Sequence, residues 1–149
     1  MLNGANEYRG MRRGCHYRAR ADAGRFCVIT YDATRFNCSH YAVQELNRVH
    51  GLSILVSDGI EWQPRFLRIL RRFFAPISAP CDNCLVVMRN HDNTLHIGIY
   101  RDYCVWHNWE RGDGSGGCLI KSDLSIIRAN YLDVHFYGRN KTIPAQQPD

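Results

Sequence analysis

Residues 35–46 read RFNCSHYAVQEL and predict a short loop that delivers a cysteine to the first turn of an amphipathic helix. The apolar residues that follow recur at helical spacing, at Ala42, Val43, Leu46 and Val49. Asn37 is the expected N-cap, and His50 and Gly51 supply the cation and the glycine that commonly end a helix. Cys38 then lies where unpaired N–H groups and the helix dipole favour a thiolate, the nucleophilic form of cysteine. The alternative is that Cys38 is a small buried hydrophobe, as most free cysteines are.

The composition is typical of a single globular domain. With 149 residues, the chain is long enough to bury a substantial core. Its net charge of +5 indicates an anionic partner or surface. We expect no membrane span, because no apolar run of about 18 residues is present, and no secretory signal, because the first residues lack a basic and then an apolar segment. No Walker loop or dinucleotide glycine pattern occurs, so nucleotide binding is not supported. No nucleic-acid partner is expected.

Seven cysteines are present, an odd number for a disulfide framework: Cys15, Cys27, Cys38, Cys81, Cys84, Cys104 and Cys118. In a cytosolic product we expect free thiols, with one or two used for chemistry. Cys81 and Cys84 form the single CxxC, so the spacing does not support a four-cysteine zinc site. A redox CxxC is also not indicated, because a strand rather than a helix is predicted to follow it. A metal or cluster site that recruits further cysteines remains an alternative.

Three segments are predicted along the chain. Residues 1–25 form a basic, arginine-rich arm that either docks on a partner or on the domain, or is a solvated tail. Residues 26–139 form the folded domain, and residues 140–149 form a loose C-terminal tail. Within the domain, a second helix is predicted over residues 64–74, with an opposite face of Arg65, Arg68, Arg71 and Arg72. That face either binds an anionic polymer or is solvated.

Strand-like segments dominate the rest of the domain. They are expected at residues 26–31, 85–89, 95–100, 103–109, 118–120 and 131–137, with a helical turn at 123–128. Alternation places His96, Gly98 and Tyr100 on one face of their strand, and Leu95, Ile97 and Ile99 on the other. The strands at 95–100 and 103–109 are predicted to form a meander, which can place a side chain of one strand beside a side chain of the next.

Three residues in this arrangement match the needs of a thiol hydrolase. Such an enzyme needs a thiolate, an imidazole within hydrogen-bond reach and a third polar group that orients the imidazole. Cys38 at a helix start, His96 on one strand and His107 on the neighbouring strand supply these groups in order. A single histidine on a strand is more often a structural residue, so the prediction rests on the order of all three.

The local motifs resemble the NlpC/P60 superfamily of papain-like cell-wall peptidases, particularly members carried in phage tails. Five segments over residues 35–139 carry the resemblance: Asn37-Cys38-Ser39, Pro80-Cys81-Asp82, His96-Ile97-Gly98-Ile99-Tyr100, Val105-Trp106-His107-Asn108 and Phe136-Tyr137-Gly138-Arg139. The third and fourth segments are the most specific. Two departures stand out, because Asn37 replaces the family's usual aspartate and Cys81 replaces its usual glycine.

The resemblance implies an α+β fold with a papain-like core, in which the nucleophile helix packs on a small antiparallel sheet. It implies that Cys38 is the nucleophile, that His96 is the general base and later the general acid, and that His107 orients His96. The backbone N–H of Cys38 would stabilise the oxyanion, and Tyr31 would add a hydroxyl. His40 is expected to be a bystander. No metal and no cofactor are implied.

The resemblance also implies a substrate and a setting. The substrate would be the stem peptides of peptidoglycan, cut near γ-D-glutamyl bonds to a diamino acid. The setting would be a phage virion, where the protein is made in the host cytoplasm, joins tail-tip or hub proteins and acts in the host cell wall or periplasm. One alternative is a catalytically silent tail-tip or assembly subunit of the same fold, with cysteines that could bind a metal. Another is an acyltransferase or amidase that uses the same cysteine and histidine.

Overall fold

A computed structural model describes residues 31–55, 64–110 and 116–141. The elements are α1 (Cys38–His50), α2 (Pro64–Leu70), β1 (Phe74–Ile77), β2 (Cys84–Arg89), β3 (Leu95–Arg101), β4 (Cys104–Glu110), β5 (Gly117–Asp123), α3 (Leu124–Asn130) and β6 (Asp133–Arg139). The predicted α+β class is therefore confirmed. The predictions for residues 1–30 and for the tail beyond residue 141 fall outside the described residues.

The six strands form one antiparallel sheet in the order β1-β6-β2-β3-β4-β5. Strands β3 and β4 form the predicted meander, which extends on both sides to β2 and β5, and β6 returns to lie between β1 and β2. Alternation along β3 separates two apolar layers, as predicted. Ile97 and Ile99 pack with α1 on one face, whereas Tyr100 packs with Ile127 of α3 on the other. We call these the α1 face and the α3 face.

Helix α1 begins and ends with the predicted caps. The Asn37 side chain accepts hydrogen bonds from the backbone N–H groups of Ser39 and His40, at 2.9 and 3.3 Å. At the other end, Gly51 has a left-handed conformation with φ of 62°, which costs glycine little, and its N–H donates to the carbonyl of Asn47. Between the caps, the apolar stripe that includes Val43 and Leu46 is buried against the sheet.

The predicted end of the second helix is wrong. Helix α2 ends at Leu70, a turn covers residues 71–73, and Phe74–Ile77 is strand β1 on the edge of the sheet. Short i→i+3 bonds to the carbonyls of Ile69 and Leu70 close the helix. Pro76 lacks a ladder donor, and an edge strand is where a sheet tolerates it.

The predicted arginine face also changes with this boundary. Arg68, Arg71 and Arg72 are exposed, but Arg71 and Arg72 lie in the turn rather than on a helix face. The sequence also underestimated β5, which runs from Gly117 to Asp123, and α3, which continues to Asn130.

Gly98 of β3 allows a close approach to β4. A Cβ atom at this position would lie 2.6 Å from the carbonyl oxygen of Trp106 and 3.0 Å from the Cβ of His107. Such separations are too short for real contacts, and a backbone oxygen cannot rotate away as a side chain can. The absence of a side chain at Gly98 therefore sets the distance between the strands that carry His96 and His107.

We predict that Gly98→Ala forces β3 and β4 apart and lowers the free energy of unfolding by about 1–3 kcal/mol, the usual cost of overpacking. Gly138→Ala is the matched control, because its Cβ would meet only the Ile77 side chain, at 3.1 Å. Urea unfolding of both variants measures the difference. An equal loss in the two variants would contradict the prediction.

Candidate active site

The loop that precedes Cys38 is held in place on both sides. The Asp32 carboxylate accepts hydrogen bonds from the N–H groups of Thr34 and Arg35, both at 2.9 Å, and these bonds close a turn. The side chain of Asn108 in β4, which is fully buried, donates to the carbonyl of Phe36 at 2.6 Å. A buried amide from the sheet therefore fixes the backbone two residues before the cysteine.

His40 takes part in this cap. Its Nδ1 lies 2.9 Å from the side-chain oxygen of Asn37 and 3.3 Å from the backbone nitrogen of Asn37. The ring and the Asn37 side chain together form a capping box around the first turn of α1. His40 therefore supports the helix start that presents Cys38, and the expectation that it is a bystander to the chemistry stays a prediction.

The environment of Cys38 favours the thiol over the thiolate. Burial raises the pKa of this thiol, and it outweighs hydrogen bonding from the backbone N–H of Ile97 and from the N–H groups at the helix start. The stabilisation expected at a helix N-terminus is present but is smaller than the cost of desolvating a negative charge. The resting nucleophile is therefore a neutral thiol.

His96 and His107 form a hydrogen-bonded pair on the α3 face. The Nε2 of His96 lies 2.8 Å from the Nδ1 of His107, and the Nε2 of His107 lies 3.0 Å from the Oγ of Ser122 in β5. The His96 ring also stacks on Tyr131, with 6.2 Å between centroids and 4° between planes. The predicted juxtaposition of the two imidazoles is therefore present, and Ser122 is an additional member.

Both imidazoles are neutral near pH 7. Burial lowers the pKa of His96 to about 4. Burial, together with the charge that His96 would carry, lowers the pKa of His107 well below its usual value. Desolvation dominates in both cases because a cation loses its hydration inside the protein. In each of the two hydrogen bonds, one of the two atoms must donate and the other must accept.

The thiol and the imidazole pair approach the sheet from opposite sides. Cys38 packs with the residues of the α1 face, while His107 lines a cavity with Ile126, Ile127 and other residues at α3. The ladder between β3 and β4 ends at the Ile99–Trp106 pair, and beyond it the N–H of Ile97 is directed at the Cys38 sulfur. The Cys38 sulfur therefore meets the backbone of the residue after His96. In the described part of the chain, no hydrogen bond joins the side chains of Cys38 and His96.

Tyr31 precedes the loop that leads to Cys38, and an ionised Cys38 would influence its phenol electrostatically. The N–H of Tyr31 donates to the carbonyl of Gly117 at 3.4 Å, which attaches it to the start of β5. Burial, followed by the negative charges of Glu110 and of an ionised Cys38, raises the pKa of Tyr31 to about 12. The phenol therefore keeps its proton, which it donates to the carboxylate of Glu110.

Two residues of the site were missed by sequence reasoning. Asn108 and Ser122 are polar side chains on strands, and both are almost fully buried. A polar residue beside the apolar positions of a strand is a weak signal, because its partner is known only after the strands are paired. The register supplies that partner for Ser122. It pairs with Val105 of β4, and His107 lies two residues further along β4 on the same face.

The other cysteines do not form a metal centre in the described ranges. There, no three histidine, cysteine, aspartate or glutamate side chains converge on one point, while Cys15 and Cys27 lie outside the described residues. Cys84 is buried and Cys81 is exposed, and the turn between them is closed by a 3.0 Å hydrogen bond from the Cys84 N–H to the Cys81 carbonyl. In the same described ranges, no helix has the length and apolar character needed to cross a bilayer.

Comparison with protein-family models, characterised proteins and solved structures produced no match to this chain. The likeness to NlpC/P60 peptidases therefore rests on the quoted motifs.

We predict that the imidazole pair makes stability depend on pH between 7 and 5. The pKa of each histidine is lower in the folded protein than the unfolded value of about 6.5, so the unfolded chain binds protons first. Stability is complete above that value and falls as the pH drops toward the folded values. The loss is about 1.4 kcal/mol per pH unit for each histidine.

Urea unfolding at pH 7, 6 and 5 measures this slope. His96→Asn should reduce the dependence of stability on pH by the share of one histidine. His91→Asn is the control, because it removes an imidazole in an exposed turn outside the pair. A wild-type slope equal to that of His96→Asn would refute the assignment.

We also predict that Cys38 reacts slowly with iodoacetamide at pH 7 and faster as the pH rises past 9, because burial raises its pKa. Peptide-resolved mass spectrometry separates Cys38 from the exposed Cys81, which serves as the internal reference. A rate for Cys38 that is already maximal at neutral pH would indicate a stabilised thiolate and contradict the prediction.

Proposed function

We propose that this protein is a cysteine peptidase with a papain-like core, and that it hydrolyses peptide bonds in the stem peptides of peptidoglycan. The observation that carries the proposal is the 2.8 Å hydrogen bond between His96 and His107, on strands whose opposite face packs against the helix that begins with Cys38. The structure supports a nucleophile, a base and an orienting group. The choice of peptidoglycan follows from the NlpC/P60-like motifs.

The proposed reaction starts from a neutral thiol and a neutral imidazole. When the Nε2–H of His96 donates to the Nδ1 of His107, the Nδ1 of His96 keeps a lone pair and serves as the base. As the Cys38 sulfur attacks the scissile carbonyl, its proton moves to that nitrogen. The tetrahedral intermediate then expels the amine, which takes the proton from His96, and water hydrolyses the thioester that remains on Cys38.

The helix start supplies an oxyanion donor for this reaction. The Asn37 side chain accepts from the N–H groups of Ser39 and His40, whereas the N–H of Cys38 belongs to the first helical residue and is not among its donors. That N–H lies next to the nucleophile, as an oxyanion hole requires. The phenol of Tyr31 keeps its proton and donates it to Glu110, so it would become a second oxyanion donor only by exchanging that partner. Catalytic hydrogen bonds are often long in a free enzyme, and the approach of Cys38 to His96 is assigned to substrate binding.

The proposed setting is a phage virion. A tail component made in the host cytoplasm would contact tail-tip or hub proteins and open the cell wall locally as the genome is delivered. The arginine-rich segment before residue 26 is suited to docking on such a partner. Co-purification with neighbouring tail proteins tests this setting, and it is dropped if the intact chain does not associate with them.

One observation favours the structural alternative. Burial raises the pKa of Cys38, and no hydrogen bond joins it to His96 in the described structure. A tail-tip subunit that kept the fold and lost the chemistry would have these properties. The two readings differ in whether Cys38 is needed for any hydrolysis.

We predict that the reduced, folded protein releases new peptide fragments from diaminopimelate-type peptidoglycan. Cys38→Ala should abolish release because it removes the nucleophile, and His96→Ala should do so because it removes the base. Cys81→Ala is the matched control and should keep full activity, because that cysteine is exposed in a turn outside the proposed site. Mass spectrometry of the soluble fragments identifies the bond. If the folded wild type releases no fragments, the structural reading replaces the peptidase.

A further inference from the structure

Ser122 ends a chain of hydrogen bonds that begins at the proposed catalytic base. His107 is 2 % exposed and Ser122 is 1 % exposed, so water does not compete for their contact. The Nε2 of His107 and the Oγ of Ser122 are 3.0 Å apart, and the Nδ1 of His107 is 2.8 Å from His96. We propose that Ser122 is a positioning residue that accepts a hydrogen bond from His107 and thereby sets which nitrogen of His96 carries the proton. This inference rests on the proposed peptidase function.

Only two proton arrangements satisfy this chain when both rings are neutral. In the first, the Nε2–H of His107 donates to Ser122, its Nδ1 accepts from the Nε2–H of His96, and the Nδ1 of His96 is free to act as a base. In the second, Ser122 donates to His107, every proton moves to the opposite side of each ring, and the Nδ1 of His96 carries a hydrogen. The second arrangement blocks proton abstraction from Cys38.

The charge formed during catalysis selects the first arrangement. When His96 gains a proton, both of its nitrogens become donors, so the Nδ1 of His107 must be an acceptor. His107 must then hold its proton on Nε2, and a buried N–H without an acceptor costs about 1–3 kcal/mol. The Ser122 oxygen is the acceptor that removes this cost.

The surroundings of Ser122 are compatible with this role. Ser122, Asn130 and Tyr131 line one cavity together with His107. Polar groups at the end of α3 and directly after it therefore share this space with the Ser122 hydroxyl. The side-chain NH₂ of Asn130 donates to the carbonyl of Ile126 at 3.0 Å, and the side-chain oxygen of Asn130 is the atom of this amide that can accept a hydrogen bond. A hydroxyl that accepts a hydrogen bond from His107 can still donate its own proton to a polar group that lines the cavity.

The test compares Ser122→Ala, Ser122→Thr and Ser125→Ala. Nitrogen-15 NMR of the imidazole rings at pH 7 should show His107 protonated on Nε2 in the wild type. Ser122→Ala should move that proton to Nδ1 and lower kcat about 10- to 100-fold, which corresponds to the cost of a buried N–H without an acceptor, with little change in KM. Ser122→Thr keeps the hydroxyl and should restore both readouts. Ser125→Ala removes an exposed serine on α3 and should change neither.

Two results would overturn the inference. One is a wild-type His107 that carries its proton on Nδ1, a measurement that needs no variant to fold. The other is Ser122→Ala with unchanged ring protonation and kcat. Failure of the peptidase proposal is recognised separately, because a folded wild type would then digest no peptidoglycan while its NMR spectrum still reports the proton on His107.

Discussion

The candidate site depends on one geometric constraint, the alternation of side chains along β4. His107 points to the α3 face and contacts His96, while the next residue, Asn108, points to the α1 face and holds the carbonyl of Phe36. One strand therefore fixes the orienting imidazole on one side of the sheet and the loop before Cys38 on the other. A shift of one residue in the register of β4 would exchange the two side chains and disrupt both halves of the site.

Burial decides the protonation states in this site. A helix N-terminus stabilises a negative charge by at most about 2 kcal/mol, and hydrogen bonds from Ile97 and Ser39 act in the same direction on Cys38. Desolvation outweighs these effects and acts in the opposite sense on the imidazoles, since it raises the pKa of an acid and lowers the pKa of a base. The resting site holds no ion pair, and charge separation is confined to the reaction.

Local features of the site were predictable from sequence because they depend on neighbouring residues. The Asn37 cap, the Gly51 end of α1 and the alternation of Ile97 and Ile99 follow from short-range rules. Strand β1 was missed because Phe74 also fits the helical spacing of α2. Its strand conformation comes from pairing with Arg139, more than sixty residues away.

The contacts made by Asn108 and Ser122 also depend on residues that lie well outside their local sequence. Asn108 meets Phe36 across 72 positions of sequence, and Ser122 meets His107 through the β4–β5 register. Composition and periodicity carry no information about either partner. The sequence predicted which side chains could react, but the hydrogen bonds that orient them required the sheet.

The sheet also determines where the two halves of the site can approach each other. Six residue pairs join β2 to β3 and seven join β4 to β5, but only three join β3 to β4. The seam between β3 and β4 is therefore the least extensively paired part of the meander, and it is held closely at Gly98. Cys38 meets Ile97 where this seam opens, and His96 comes directly before Ile97. A change in the separation of thiol and imidazole breaks the fewest ladder hydrogen bonds at this point, so the adjustment that the proposed reaction requires is placed here.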